Sequence, residues 1–152
     1  MSTAHAVAHH PAGLSTALGR RVSAGVIGGL AGGVVFGMMM AMMGMLSTIA
    51  SMVGSTSGWV GFAMHLMISI VIGLGLTVVF GNRLLTGYGR GVLVGMVYGA
   101  IWWVLGPLVM MPLMLGMPVF SMDMTSVLSL MGHLIFGAIL GLTAVRVLTS
   151  RA

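Results

Sequence analysis

Four long apolar runs, at about 22 to 46, 59 to 80, 91 to 114 and 124 to 147, take up most of this chain. Each meets the roughly 20 residues needed to cross a hydrocarbon core of about 30 Å. Lipid offers no partner to a backbone amide or carbonyl, so a chain that crosses it must satisfy those groups within its own helices. The sequence therefore predicts an all-α polytopic membrane protein, a bundle of four transmembrane helices joined by short connections. Composition agrees, with 59% hydrophobic and 5% charged residues, against about 25% charged in an ordinary soluble domain. The expected division is a flexible tail over residues 1–21 and a four-helix transmembrane domain over 22–152.

All the positive side chains are arginine. Arg20 and Arg21 precede the first run, Arg83 and Arg90 separate the second from the third, and Arg146 and Arg151 end the fourth. The connections at about 47–58 and 115–123 carry none. The positive-inside rule then places both termini of this multi-pass chain in the cytoplasm. The net charge of +5 reports that orientation. A nucleic-acid partner is not expected, because the arginines form no continuous patch and have no soluble scaffold. The tail, with His5, His9 and His10, reads as a flexible cytoplasmic arm, weak metal binding by a His-rich tract being the alternative. The first apolar run is too long for a signal-peptide core.

Residues 25–33, GVIGGLAGG, return as residues 91–99, GVLVGMVYG, and the surroundings of His65 return around His133. Gly25, Val26, Gly29 and Gly33 correspond to Gly91, Val92, Gly95 and Gly99. His65-Leu66 and Gly73-Leu74 correspond to His133-Leu134 and Gly141-Leu142. This predicts two tandem hairpins, a parallel repeat about a pseudo-twofold axis along the membrane normal. Transporters built on such repeats place their sites at the repeat interface.

Helix 1 carries Gly29, Gly33 and Gly37, helix 3 carries Gly91, Gly95 and Gly99, and helix 4 carries Gly137 and Gly141. Small residues at four-residue spacing let helices approach closely where lipid removes the hydrophobic drive to associate. Internal packing is the expected role, with a cavity lining or a homo-oligomer contact as the alternative. The stripe Gly61, His65, Ser69, Gly73 on helix 2 repeats as Ser129, His133, Gly137, Gly141 on helix 4. Residues four apart share a face, so both histidines are expected to point inward. At 1.5 Å per residue both fall roughly 9 to 14 Å below the outer ends.

Sixteen of the 18 methionines lie in the outer half of the bundle or its outer connections. Thioether sulfur and imidazole together suit Cu(I), so His65 and His133, with Met64 and Met131 beside them in sequence, are candidate copper ligands. The alternative is packing, since methionine is flexible and fills irregular gaps. Pro107, Pro112 and Pro118 should kink or break helix 3 near the outer boundary, or else helix 3 ends near Met111 and a proline-bearing loop follows. Asp123, the one acidic residue, stands where a carboxylate caps helix 4. Trp59 fits an interfacial belt, and Trp102 and Trp103 fall at mid-helix as packing residues.

From His65 onward the order of features resembles the YagU-type inner-membrane family: an early histidine in one span, a glycine-bearing span, MPLMLGMPVFSMD at 111–123, then GHLIFG at 132–137. The likeness covers helices 2 to 4. This chain has a shorter first connection and fewer charges than that family. The resemblance implies a small inner-membrane protein associated with acid tolerance, with no established biochemical activity.

With no cysteine, no lysine and one carboxylate, hydrolytic or transfer chemistry would rest on two histidines and one aspartate, so no enzyme is expected. Three functional readings remain open. One is a soft-metal (copper) binding or transport protein using His65 and His133. A second is bis-histidine haem ligation between helices 2 and 4. The third is a structural or acid-stress-related membrane protein whose histidines hydrogen-bond across the bundle as packing glue.

Overall fold

The computed structural model describes residues 12–150, and no strand occurs among them. The helices are α1 (Ala12–Met42), α2 (Leu46–Ser51), α3 (Gly58–Leu74), α4 (Phe80–Leu84), α5 (Tyr88–Leu105), α6 (Met111–Leu115) and α7 (Met124–Thr149). Wider π-helical turns at Gly75–Val79 and Gly106–Met110 join α3 to α4 and α5 to α6 without a break. Four spans result, Thr16–Met42, Gly58–Val79, Tyr88–Leu115 and Met124–Thr149, each long and apolar enough to cross a membrane. The protein is an all-α four-helix membrane bundle.

Several boundaries differ from those expected, for physical reasons. Residues 1–11, with His5, His9 and His10, lie outside the described residues, but Ala12–Arg21, expected as tail, are helical. The arginine pair is drawn into the helix by tertiary bonds. Arg20 Nη2 donates to the Leu148 carbonyl and, at 2.9 Å, to the Ser150 carbonyl, at a helix end where carbonyls lack intrahelical partners. At its other end α1 stops at Met42, because Gly44 turns left-handed at φ 69°. The connection that follows is not all loop, since α2 folds back on α3 with Leu46 against Gly61.

Helix 3 neither breaks at Pro107 nor ends near Met111. The π-helical turn passes through Pro107, and winding continues to Leu115, where Gly116 takes φ 66°. Pro112 has no amide to offer the Leu108 carbonyl four residues earlier. The Phe120 N–H supplies one instead at 2.9 Å, so the connection that follows repairs the proline defect.

Helix α1 packs on both α3 and α7, and α5 packs on α7, while contact between α3 and α5 is marginal at most. The sequence places a glycine at each close approach. On one side of α1, Gly25 meets Gly73, and Gly29 and Gly33 meet Ser69. On the other, Gly28 meets Leu140 and Gly32 meets Phe136. In the second hairpin Gly91 meets Gly141, Gly95 meets Gly137 and Gly99 meets the His133 backbone. Added Cβ atoms would press on backbone, as at Gly29, where one would lie 2.5 Å from the Ser69 carbonyl oxygen. Such approach gives the dispersion contact that holds helices together in lipid.

The two ends of the bundle differ in charge. Arg20, Arg21, Arg83, Arg90 and Arg146 gather at one end, and Asp123 caps α7 at the other. Its carboxylate accepts from the Ser126 amide at 2.7 Å and from the Ser126 hydroxyl at 2.8 Å. Those bonds, the amide first, hold the carboxyl below the ordinary aspartate value of 3.8. A depressed carboxyl stabilises the folded state above its unfolded value, and the contribution is lost as pH falls through the folded value. The Ser126 amide resonance is therefore expected to titrate with a midpoint below 3.8 and to lose that titration in Asp123→Ala. A midpoint at or above the ordinary value would remove the cap from the account.

The glycine contacts generate a second expectation. Gly95→Ala forces a Cβ into the Gly137 carbonyl and should lower stability by about 1–3 kcal/mol, the usual cost of overpacking. Gly89→Ala, where a Cβ meets nothing within 4 Å, should be neutral or gain a few tenths of a kcal/mol from helix propensity. Equal thermal melts for the two variants in detergent would refute close backbone packing at Gly95.

Candidate functional site

The α3 stripe Gly61, His65, Ser69, Gly73 is buried along its length. Its small members let neighbours approach closely, Gly61 meeting Leu46 of α2, and Ser69 and Gly73 meeting Gly29 and Gly25 of α1. Ser69 uses its hydroxyl on the His65 carbonyl at 2.8 Å, which is the back-bonding open to serine in a helix. The His65 imidazole crosses to α1, with Nε2 3.1 Å from the Gly33 carbonyl. A carbonyl only accepts, so the proton sits on Nε2 and the Nδ1 lone pair stays uncommitted.

His133 solves the same problem within its own helix. Its Nδ1 lies 2.8 Å from the Ser129 carbonyl, so the proton sits on Nδ1 and Nε2 keeps its lone pair. Gly99 of α5 presses on the His133 backbone and fixes where that ring starts from. The two imidazoles thus carry opposite tautomers, each held by a backbone oxygen, as ligating histidines commonly are.

Phe36 of α1 joins them. Its ring lies 5.2 Å from His65 at 89° and 4.7 Å from His133 at 67°, edge-on to both, an arrangement that aromatic quadrupoles favour. Gly132 makes room for it, since a Cβ there would overlap the Phe36 ring.

Above these rings is a cavity of about 220 Å3. Its polar lining is His65, His133, Ser69 and Ser129 beside the Trp102 indole, and its upper wall holds Met40, Met45, Met52, Met110 and Met111. Met45 and Met52 arrive there because α2 folds inward, and Met110 and Met111 because the π-helical turn carries the helix past Pro107. Ile68 and Ile72 of α3 and Trp102 of α5 line the cavity from either side of the gap between those helices. Among the described residues one hydrogen bond spans that gap, from the Tyr98 hydroxyl to the Ile72 carbonyl at 3.0 Å. Trp103 donates to the Ser126 carbonyl at 2.9 Å, whereas the buried Trp102 N–H has no bond of normal geometry and stands beside Tyr98. Trp59 is 83% exposed at the start of α3.

Of the four residues singled out from the sequence, the structure brings His65 and His133 to one cavity. Met64 is half-buried and Met131 exposed, and neither lines it. A neighbour in helical sequence points about 100° away, so adjacency to a histidine carries no guarantee of a shared face. Phe36 was missed altogether. The glycine doublets 28–29 and 32–33 were its signal, because they give α1 two small faces and so make it the central helix.

The donor set is neutral and soft. Among the described residues no three His, Cys, Asp or Glu side chains group together, so further ligation at this cavity would fall to thioethers. At about 220 Å3 it is below the roughly 300–1,000 Å3 of ordinary organic-ligand pockets. No family model matches the chain, and no curated protein or solved structure matches it either.

The tautomers are open to direct measurement. Long-range 15N correlation spectra of the detergent-solubilised protein should show His65 protonated on Nε2 and His133 on Nδ1. The same tautomer on both rings would contradict one of the two backbone bonds.

Proposed function

We propose that this is a small, non-enzymatic integral protein of the inner (plasma) membrane, with both termini cytoplasmic, that binds or passes copper as Cu(I). His65 and His133 are its principal ligands. The arginine end faces the cytoplasm by the positive-inside rule, which puts the cavity in the outer leaflet. The two hairpins are read as tandem copies of one unit, since Gly25–Gly73 in the first recurs as Gly91–Gly141 in the second.

One observation carries the reading: two histidines line a single cavity, each with one ring nitrogen bonded to a carbonyl and the other uncommitted. Methionines complete the wall. Imidazole and thioether are the donors Cu(I) prefers, and a monovalent ion costs less to bury than a divalent one where no carboxylate is at hand. Met40, Met45, Met52, Met110 and Met111 replace Met64 and Met131 as the supporting ligands in this proposal.

A second reading has its own observation. The His65–Gly33 bond joins α3 to α1, and such bonds are ordinary glue in membrane bundles. Under it the protein is a structural or acid-stress-related membrane protein, the role that the likeness to the YagU-type family suggests. Haem ligation is weaker, because the cavity is small and Phe36 touches both imidazoles.

The test is the metal content of protein expressed with copper and iron and purified in detergent, beside the His65→Ala/His133→Ala double variant. Copper near one per chain or per dimer is expected, and it should vanish in the variant. Copper that persists in the variant, or none in the wild type, would overturn the proposal. A Soret band with bound iron would favour haem, and a lowered melting temperature of the variant with no metal in the wild type would favour the packing role.

A further inference from the structure

The arginine end contains a second cavity, of about 350 Å3, which the proposed copper site does not use. Its wall includes Ala17, Arg20 and Arg21 of α1, Gly81 of α4, and Leu148 and Thr149 of α7. Because α1 is the central helix, its two consecutive arginines reach in different directions. Arg20 reaches the end of α7 through the Leu148 and Ser150 carbonyls. Arg21 Nη1 reaches the π-helical turn through the Val78 carbonyl at 3.2 Å, and the Thr77 hydroxyl donates back to the Arg21 carbonyl at 2.8 Å. Two guanidinium groups are thereby held at one cavity.

Charge balance then matters. Both Arg20 bonds are made by Nη2, so its Nε and Nη1 donors make none with the described residues. The chain has a single acidic side chain, and Asp123 is spent as a cap at the opposite end. No side-chain carboxylate is therefore within reach of this cavity. Two spans end at Thr16 and Thr149, and Arg20 lies one turn inside Thr16, so both arginines stand near the depth at which lipid phosphates are expected.

We propose that this cavity binds the phosphate of an anionic phospholipid, with Arg20 and Arg21 as its donors. Guanidinium offers paired N–H groups to phosphate oxygens, and basic pockets between transmembrane helices hold anionic headgroups in this manner. Ala17, Leu85 and Leu148 give the cavity an apolar side for the glycerol end of the lipid. A free phosphate has the same headgroup chemistry without that apolar part.

The experiment uses the full chain, delipidated in detergent, with phosphatidylglycerol or phosphatidylcholine added and retention read by native mass spectrometry. One phosphatidylglycerol per chain should be retained in preference to phosphatidylcholine. Retention should fall roughly fivefold for each arginine removed in Arg20→Gln and Arg21→Gln. Arg90→Gln removes the same charge away from the cavity and should change nothing. Ala17→Leu narrows the cavity while keeping both arginines and the Arg20 bonds, and should also lower retention, which guards against misfolding of the arginine variants. Equal retention of the two lipids, or an Arg90→Gln effect as large as that of Arg20→Gln, would overturn the proposal. Displacement of phosphatidylglycerol by inorganic phosphate alone would overturn the lipid assignment in favour of a soluble anion.

Discussion

Backbone meeting backbone at glycine is the contact on which everything else in this bundle rests. In lipid an apolar side chain gains little by leaving one greasy neighbour for another, so helices associate where they fit closely. Gly95 against Gly137 and Gly25 against Gly73 are such places. Glycines 28 and 32 give α1 a second small face toward α7, and that makes α1 the helix on which both hairpins meet. Bulk excluded from these seams has to be accommodated beside them, which is why Phe36, Trp102 and the large methionines collect around the cavity.

The order α3, α1, α7, α5 leaves the outer helices without a common seam. A closed four-helix ring would have filled its centre. Here the gap between α3 and α5 stays lightly filled, with the Tyr98–Ile72 bond as the one hydrogen bond across it among the described residues. The π-helical turns belong to the same geometry. One starts three residues after the carbonyl that Tyr98 reaches, and the other carries Pro107 along the cavity wall. Wider winding at functional positions in helices is a recurrent device.

Much of this was legible in the sequence, because it rests on periodicity. Span lengths, the arginine end, the glycine stripes and the inward turn of His65 and His133 all follow from counting residues along a helix. What was not legible depends on contacts distant in the chain. The α1 start depends on Arg20 finding the end of α7, and the α2 turn depends on Gly61 accepting Leu46. Continuation of the third span through two prolines depends on a π-helical turn and on Phe120 arriving from a later connection. The choice of methionines could not be made from neighbourhood in sequence, which favoured Met64 and Met131. Met45 and Met52 reach the cavity by tertiary folding alone.

The single phenyl ring between the histidines has a mechanical consequence. Phe36 is seated over Gly132 and bears on both imidazoles, so neither ring can rotate without pushing it, and the push arrives at the other. The two histidines then behave as one jointed part rather than as two separate side chains. Since Phe36 belongs to the first hairpin and His133 to the second, that ring is also a point at which a small turn of one imidazole would be felt in both halves of the bundle.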